Sequence, residues 1–486
     1  MFKSKHRRTT SGYGQMPGHN GNKVNLLYTD EGCTRFIPIT EECNGDIRHC
    51  FARDATRVTS SFAFRRLQHK TQLFPANSND FIRSRLTHSL DVVQVAKAIA
   101  ININTKIEPF IENPINLELI QVAALCHDIG HAPFGHSGEM ALFECMKPFG
   151  GFEGNAQTLR LISKLERREI RGKWELGEEP ELGHNSTVGL NLTKRSIAST
   201  IKYDKEITKV QTKTKPDKGY YHEDIDVIRE CRSSLSNNRN GKLHFPTLEG
   251  SIMDIADDIA YATSDLEDAF KVGVVTPMSM ISENDKIYEA IAGDINRSKN
   301  YGLTVKDVKA SLYETFNCLT ESAKLTHGGA LDALTWAHRS SKQIATTVHH
   351  RTSVLRNIAN RLIGSVEVEV NNQNLAFSKA KLPKKELIDV EVLKSFNYHS
   401  VISSAPIKAF EHRAQVIVEG IFNALFEDQD FFLIPDERRE YLAGLSATER
   451  PRAISDFIAD MTDTYAADFY SNLKNSDPTI NYYRSL

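Results

Sequence analysis

The sequence predicts an all-α protein. Two long stretches carry apolar residues at three- and four-residue steps, one through Leu86, Leu90, Val93, Ala96 and Ile99, the other through Ile252, Ile255, Ala256, Ile259, Leu266 and Phe270. That period places the apolar side chains on one face of a helix, whereas a strand would alternate at every second residue. Strand-like alternation is confined to one short stretch, Ser365 to Val370, where Val and Glu take turns. With 40% hydrophobic and 25% charged residues, the 486-residue chain has the composition of an ordinary globular protein.

In chain order, residues 1–50 are rich in Gly, Asn, Thr and Pro without a sustained period and read as an irregular arm. Regular structure is expected from near Asp54. A helix is predicted over Ser84 to Ala100 and a second from Leu117 to His127. Gly130, Pro133 and Gly135 then force a turn before a third helix that starts near Ser137 and runs through Met140 and Phe143. Lys164 to His184 is highly charged and reads as an exposed loop, and the lysine-rich stretch from Lys202 to Lys218 as a solvated surface segment. The next clear helix spans Thr247 to Phe270, and helical segments continue beyond Ile281. The expected organisation is therefore an N-terminal arm (1–50), a helical core (51–280) and a helical C-terminal region (281–486) large enough to form an oligomer interface.

The formal net charge of -2 gives no global attraction for polyanions, so any phosphate must be met by a local cluster of cations. Apolar runs such as Leu117 to Leu125 fall short of the ~20 residues needed to cross a bilayer. The basic N-terminus lacks the apolar block of an export signal, so the cytoplasm is the expected compartment. The cysteines at 33, 43, 50, 126, 145, 231 and 318 form no CxxC pair and read as reduced thiols; Cys33, Cys43, His49 and Cys50 match the spacing of no zinc module.

The chemistry concentrates in CHDIGHAPFGHSGE, Cys126 to Glu139, which packs three histidines and two carboxylates into a helix end, a turn and a helix start. A lone histidine beside an apolar helix is ordinarily structural, but His127 is followed by Asp128, and an imidazole with a carboxylate can share one divalent cation whose charge offsets the burial of the carboxylate. Two ligands need partners. His88 in RSRLTHS supplies one, with Arg85 a turn earlier on the same face, and the second is an aspartate of the pair Asp257 and Asp258 in DIADDIAYATSD. Helical spacing leaves that choice open, because Asp257, Tyr261 and Asp265 share a face near which Asp258 also lies. Two imidazoles and two carboxylates suit Mn²⁺, Mg²⁺ or Fe²⁺ better than a closed zinc site.

In order along the chain, SSFAFRRLQHKTQLFP, RSRLTHSLDV, HDIGHAPFGHSGE, GFEGNAQTLRL, GLNLTKRSI and IADDIAYATSDLEDA closely resemble the deoxyguanosinetriphosphate triphosphohydrolase (dGTPase) family of HD-domain dNTP triphosphohydrolases, over about residues 51 to 270. The resemblance implies an HD-type helical core with metal ligands His88, His127, Asp128 and Asp257. It implies His136 and Glu139 as the catalytic pair, Gln72 and Asp265 on the sugar 3′-hydroxyl, and Leu73 and Tyr261 against the 2′ position. Arg85 and His131 would touch the phosphates, joined by Lys202, Tyr203 and Lys218. It further implies a homo-oligomer, hexameric or tetrameric, and leaves room for a dNTP or single-stranded DNA effector.

The reaction that the family resemblance implies is attack of water on the α-phosphorus of a dNTP, dGTP foremost, giving a deoxynucleoside and tripolyphosphate. No GxxxxGK[ST] loop is present, which disfavours a P-loop NTPase. Another HD phosphohydrolase, a nucleotidase or phosphodiesterase, would share the metal set but need neither Gln72 nor the Tyr261 and Asp265 pair. A nucleotide-sensing or single-strand-binding module would need no His136 and Glu139 pair and would bind without turnover.

Overall fold

A computed structural model describes residues 25–38, 49–75, 81–166, 189–235, 244–317, 329–428, 432–435, 439 and 444–474. Most of the N-terminal arm, Cys43, Cys318 and residues 167–184 of the expected exposed loop lie outside them. The described segments form helices α1 (Cys50–Thr59), α2 (Phe62–Arg66), α3 (Arg85–Lys106), α4 (Leu117–Cys126), α5 (His136–Met146), α6 (Gly154–Arg160), α7 (Lys194–Thr200), α8 (Ile225–Ser234), α9 (Leu248–Ala260) and α10 (Leu266–Val272). They continue with α11 (Pro277–Ile281), α12 (Asp285–Lys299), α13 (Val305–Thr315), α14 (Ala330–Thr346), α15 (Val348–Ser365), α16 (Lys384–Asn397), α17 (Ala405–Glu427), α18 (Arg450–Ala459) and α19 (Asp463–Lys474). Between α15 and α16, strand β1 (Glu367–Glu369) pairs antiparallel with β2 (Lys379–Lys381), Val368 opposite Ala380. The all-α expectation and the short strand both hold.

Local chemistry explains the boundaries. Ser84 caps α3 reciprocally with Thr87, each side-chain oxygen accepting the other's backbone N–H. The helix outruns the expected Ala100 because Ile103 extends its buried face. Asn116 caps α4 by accepting from the backbone N–H groups of Glu118 and Leu119. The α4 sequence is apolar nearly all round because α1, α3, α7 and α9 all pack against it. The helix expected over Thr247 to Phe270 is interrupted: a π-type turn, Tyr261–Asp265, separates α9 from α10, which ends at Gly273 in the left-handed region (φ 78°).

The main apolar core joins α1, α3, α4 and α9 to α15 and α16, with Val92, Ile99, Leu119, Ile252 and Ile259 packed in one cluster with Leu362, Leu393 and Phe396. A second cluster lies between α5 and the last helices, where Leu142, Phe143 and Met146 meet Ile417, Ile421 and Leu425 of α17 and Ile454 and Ile458 of α18. The lysine-rich stretch is an irregular surface segment with Lys205, Lys209, Lys213, Lys215 and Lys218 exposed. It is tied down at Ile207, packed with Ala156 and Tyr221, and at Gln211, whose N–H donates to Lys147 O (3.0 Å). The described cysteines are free thiols, and no described helix is long and apolar enough to cross a membrane.

Because Ile421 is fully buried between α17 and α5, Ile421→Ala is expected to destabilise the protein by about 2–5 kcal/mol, read as a lowered denaturation midpoint in urea.

Candidate active site

The site lies where the C-terminal end of α4, the first turn of α3 and the last turns of α9 meet. The His127 Nδ1–H donates to Ala124 O (2.7 Å), and since a carbonyl only accepts, that bond fixes the proton on Nδ1 and leaves Nε2 as the free lone pair. His88 Nε2 lies 3.1 Å from Asp257 Oδ1, and His127 Nε2 lies 3.6 Å from the same oxygen. Among the described residues, His88, His127 and Asp257 form the one group of three or more whose ligand atoms all fall within 4.8 Å of one another. Asp128 stands at its edge, Oδ1 3.5 Å from His127 Nε2 and Oδ2 accepting from Arg85 Nη1 (2.7 Å). Asp258 turns away to Lys394 of α16 (2.6 Å).

The electrostatics are those of a site built for positive charge. Burial alone would lower the His88 pKa, but the hydrogen bond to Asp257 and the charges of Asp265, Asp257 and Asp128 hold it at about 9. Burial opposes ionisation of Asp257, yet His127, His88 and Lys202 bring its carboxyl well below the usual range. His88 Nδ1, His127 Nε2, Arg85 Nε, Gln72 Oε1 and both Asp265 oxygens are buried without a hydrogen-bond partner. Such a concentration of unpartnered polar atoms calls for a ligand or ion, and the imidazole and carboxylate donors fit a divalent cation.

Around this centre, His131 Nδ1 lies 3.1 Å from Asp128 Oδ1. Burial and the Arg85 charge push the His131 imidazole down to about 4, against the pull of Asp128 and Glu139. Asp265 Oδ1 is 3.8 Å from His88 Nδ1, and burial raises its carboxyl to about 7 despite His88, Arg83 and the neighbouring Gln72 amide. Leu73 is buried, and Tyr261, at the start of the π-type turn, lies one step along the helix between Asp257 and Asp265. On the other side of Asp257, Lys202 Nζ bridges Asp254 (2.5 Å) and Asp257 (3.7 Å), while Lys218 Nζ donates to the Tyr203 hydroxyl (3.1 Å).

His136 opens α5 with its side chain 79% exposed, its Nδ1 3.1 Å from Glu139 Oε2. Glu139 is buried and its other oxygen accepts the Gly154 N–H (2.9 Å). Burial would raise the Glu139 carboxyl, but His136, His131 and that N–H bring it down to about 2, so it stands as an anion orienting the imidazole. The tight turn before α5 needs Gly138, because a Cβ there would lie 1.8 Å from Pro133 O.

Two further residues, neither marked by a local sequence signal, bond directly to these loops. Lys70 is buried, and its Nζ donates to His131 O and Ala459 O (2.7 Å each). Burial, with Arg66 nearby, depresses it to about 7 despite Asp460 and Asp463. Asp463 of α19 accepts from both Thr71 and Phe134. Lys70 sits within a recognised block, but only the fold reveals that a lysine is buried; Asp463 lies far along the chain from both partners.

A helix-end His–Asp pair joined by a histidine and an aspartate from two other helices defines an HD-type hydrolase centre, and residues 85–185 match the HD domain model. Residues 380–472 match the phosphohydrolase-associated domain. The chain is 35% identical to a deoxyguanosinetriphosphate triphosphohydrolase-like protein 2 of Mesorhizobium japonicum, over 95% of this chain and 100% of that one. It is 31% identical to a deoxyguanosinetriphosphate triphosphohydrolase-like protein of Aliivibrio fischeri (88% and 93% covered) and 30% identical to one of Shewanella sediminis (90% and 95%). The protein belongs to the deoxyguanosinetriphosphate triphosphohydrolase-like family of HD-domain hydrolases.

The contrast between adjacent aspartates is testable. Asp257→Ala is expected to weaken Mn²⁺ binding by more than the roughly 10–100-fold that changes to a ligand's neighbours cost. Asp258→Ala, which removes only the Lys394 pair, should retain the metal, both read by metal analysis after equilibrium dialysis.

Proposed function

We propose that the protein is a metal-dependent dNTP triphosphohydrolase, with dGTP its leading substrate, releasing a deoxynucleoside and tripolyphosphate. The observation that carries this reading is the set of buried, unpartnered polar atoms of Gln72, Asp265 and Arg85 beside the His88, His127 and Asp257 group. Together these groups offer acceptors to a sugar hydroxyl and a cation to a phosphate within one site. The relatives named above supply the choice of dGTP.

In this reading His88, His127, Asp128 and Asp257 hold a divalent cation, Mn²⁺ or Mg²⁺ with Fe²⁺ also suited, which when bound supplies positive charge against the phosphates. Arg85, His131, Lys202, Tyr203 and Lys218 bind the triphosphate and offset its charge. Gln72 and Asp265 receive the 3′-hydroxyl, and Leu73 and Tyr261 close on the 2′ position. Water forms a bond to the α-phosphorus as the bond from that phosphorus to the 5′-oxygen breaks. His136, oriented by Glu139, moves a proton at the reacting centre, to the departing 5′-oxygen or from the water.

A panel of dNTPs and NTPs with Mn²⁺ and Mg²⁺, resolved by phosphorus NMR, tests the reading. Tripolyphosphate from dGTP and little turnover of GTP are expected, and pyrophosphate or orthophosphate as the product would reject it. His136→Ala should lower kcat by roughly 10²–10⁴-fold while retaining metal; equal loss of metal would make His136 a ligand instead. A ribose 2′-hydroxyl against Leu73 and Tyr261 would lack a partner at a cost of roughly 1–3 kcal/mol. Leu73→Ala is therefore expected to raise GTP turnover relative to dGTP, measured as the ratio of kcat/KM values.

A further inference from the structure

The loop that carries Gln72 and Leu73 and the turn that carries His131 and His136 are not bonded only to the helices next to them in sequence. Asp463, buried in the first turn of α19, reaches both with one carboxylate. Its Oδ2 accepts the N–H (2.9 Å) and the hydroxyl (2.5 Å) of Thr71, the residue before Gln72. Its Oδ1 accepts the N–H of Phe134 (2.6 Å), a residue held at φ 62° two positions before His136. One residue further back, the Lys70 ammonium joins His131 O to Ala459 O at the end of α18. Thr71 also forms a bridge with Ser84, the cap of the helix that presents Arg85 and His88. Three donors converge on a single buried carboxylate, so a shift of α19 moves both loops together.

We propose that Asp463 is a positioning residue for nucleotide selection, setting the Gln72–Leu73 loop against the metal-motif turn so that discrimination at the sugar depends on the last helices of the chain. The proposal rests on the dNTP reading above. Contacts that select against a single hydroxyl lose their effect when the supporting loop is displaced by a fraction of an ångström. Only a carboxylate offers acceptors to both loops here: an amide would turn an N–H donor toward one of them, and alanine would leave three buried donors unpaired.

The test compares wild type, Asp463→Asn and the milder Thr71→Val, which deletes only the hydroxyl bond. The ratio of kcat/KM for dGTP to that for GTP is read in the same sample, so it is independent of the fraction of protein folded. Asp463→Asn is expected to lower that ratio by about tenfold or more, Thr71→Val by a few-fold, with Mn²⁺ binding retained. Backbone amide exchange at Thr71 and Phe134 should rise together in Asp463→Ala, which removes both acceptors. A fall in kcat that is equal for both nucleotides, or faster exchange in only one of the two loops, would overturn the proposal and make Asp463 an anchor for stability alone. A wild type that hydrolyses no dNTP would reject the function proposed above, and the paired exchange of the two amides would still decide whether Asp463 couples the loops.

Discussion

Everything in the site depends on keeping several carboxylates ionised or poised out of water. Asp128, Asp257 and Asp265 crowd around His88 and His127 at the meeting of α3, α4 and α9. A buried carboxylate without compensation costs several kcal/mol. The fold supplies the compensation side by side: Arg85 on Asp128, Lys202 and the imidazoles on Asp257, His88 near Asp265. His127 Nε2 is still left without a hydrogen-bond partner between them, and the imidazole and carboxylate donors gathered there suit an additional cation. The helices carrying them must in turn be held rigidly, and α4, enclosed by α1, α3, α7 and α9, provides that rigidity.

Much of this was legible in the primary structure, because it was written in local patterns. The period of α3, the Pro and Gly residues before α5, and the density of His and Asp in Cys126 to Glu139 are short-range signals. Two features could not follow from local spacing, for different reasons; the choice of Asp257 came from the family resemblance. The choice between Asp257 and Asp258 could not follow from helical spacing, since their directions differ by one helical step; the difference arises from Lys394, a residue of α16 that draws Asp258 away. The π-type turn left no mark in the apolar period, because the residues on either side stay apolar on the buried face.

The C-terminal half was legible as helix and not as part of the site. Its contribution is made through pairs widely separated in sequence, such as Arg160 with Asp456 (2.9 Å) and Thr71 with Asp463, for which a single chain carries no local cue. The second apolar cluster shows the same arrangement: α5, whose first residue is His136, is buried on one face by α17 and α18. The region matching the phosphohydrolase-associated domain therefore forms the back wall of the HD turn, and its burial of Leu142, Phe143 and Met146 sets how α5 presents its first turn.

The turn at Tyr261–Asp265 fixes a rotation within the helix that carries both aspartates. A π-type turn holds one residue more than an α-helical turn, so the helix after it is rotated by about 100° relative to an uninterrupted α-helix. Asp257 lies before the turn and Asp265 within it, on one continuous rod of chain. The angle between the aspartate facing the two imidazoles and the one beside Gln72 is thus set by residue count. Losing a single residue here would leave every remaining side chain chemically intact while rotating α10, and with it the Asp268 partner of Arg83, to a different bearing on the core.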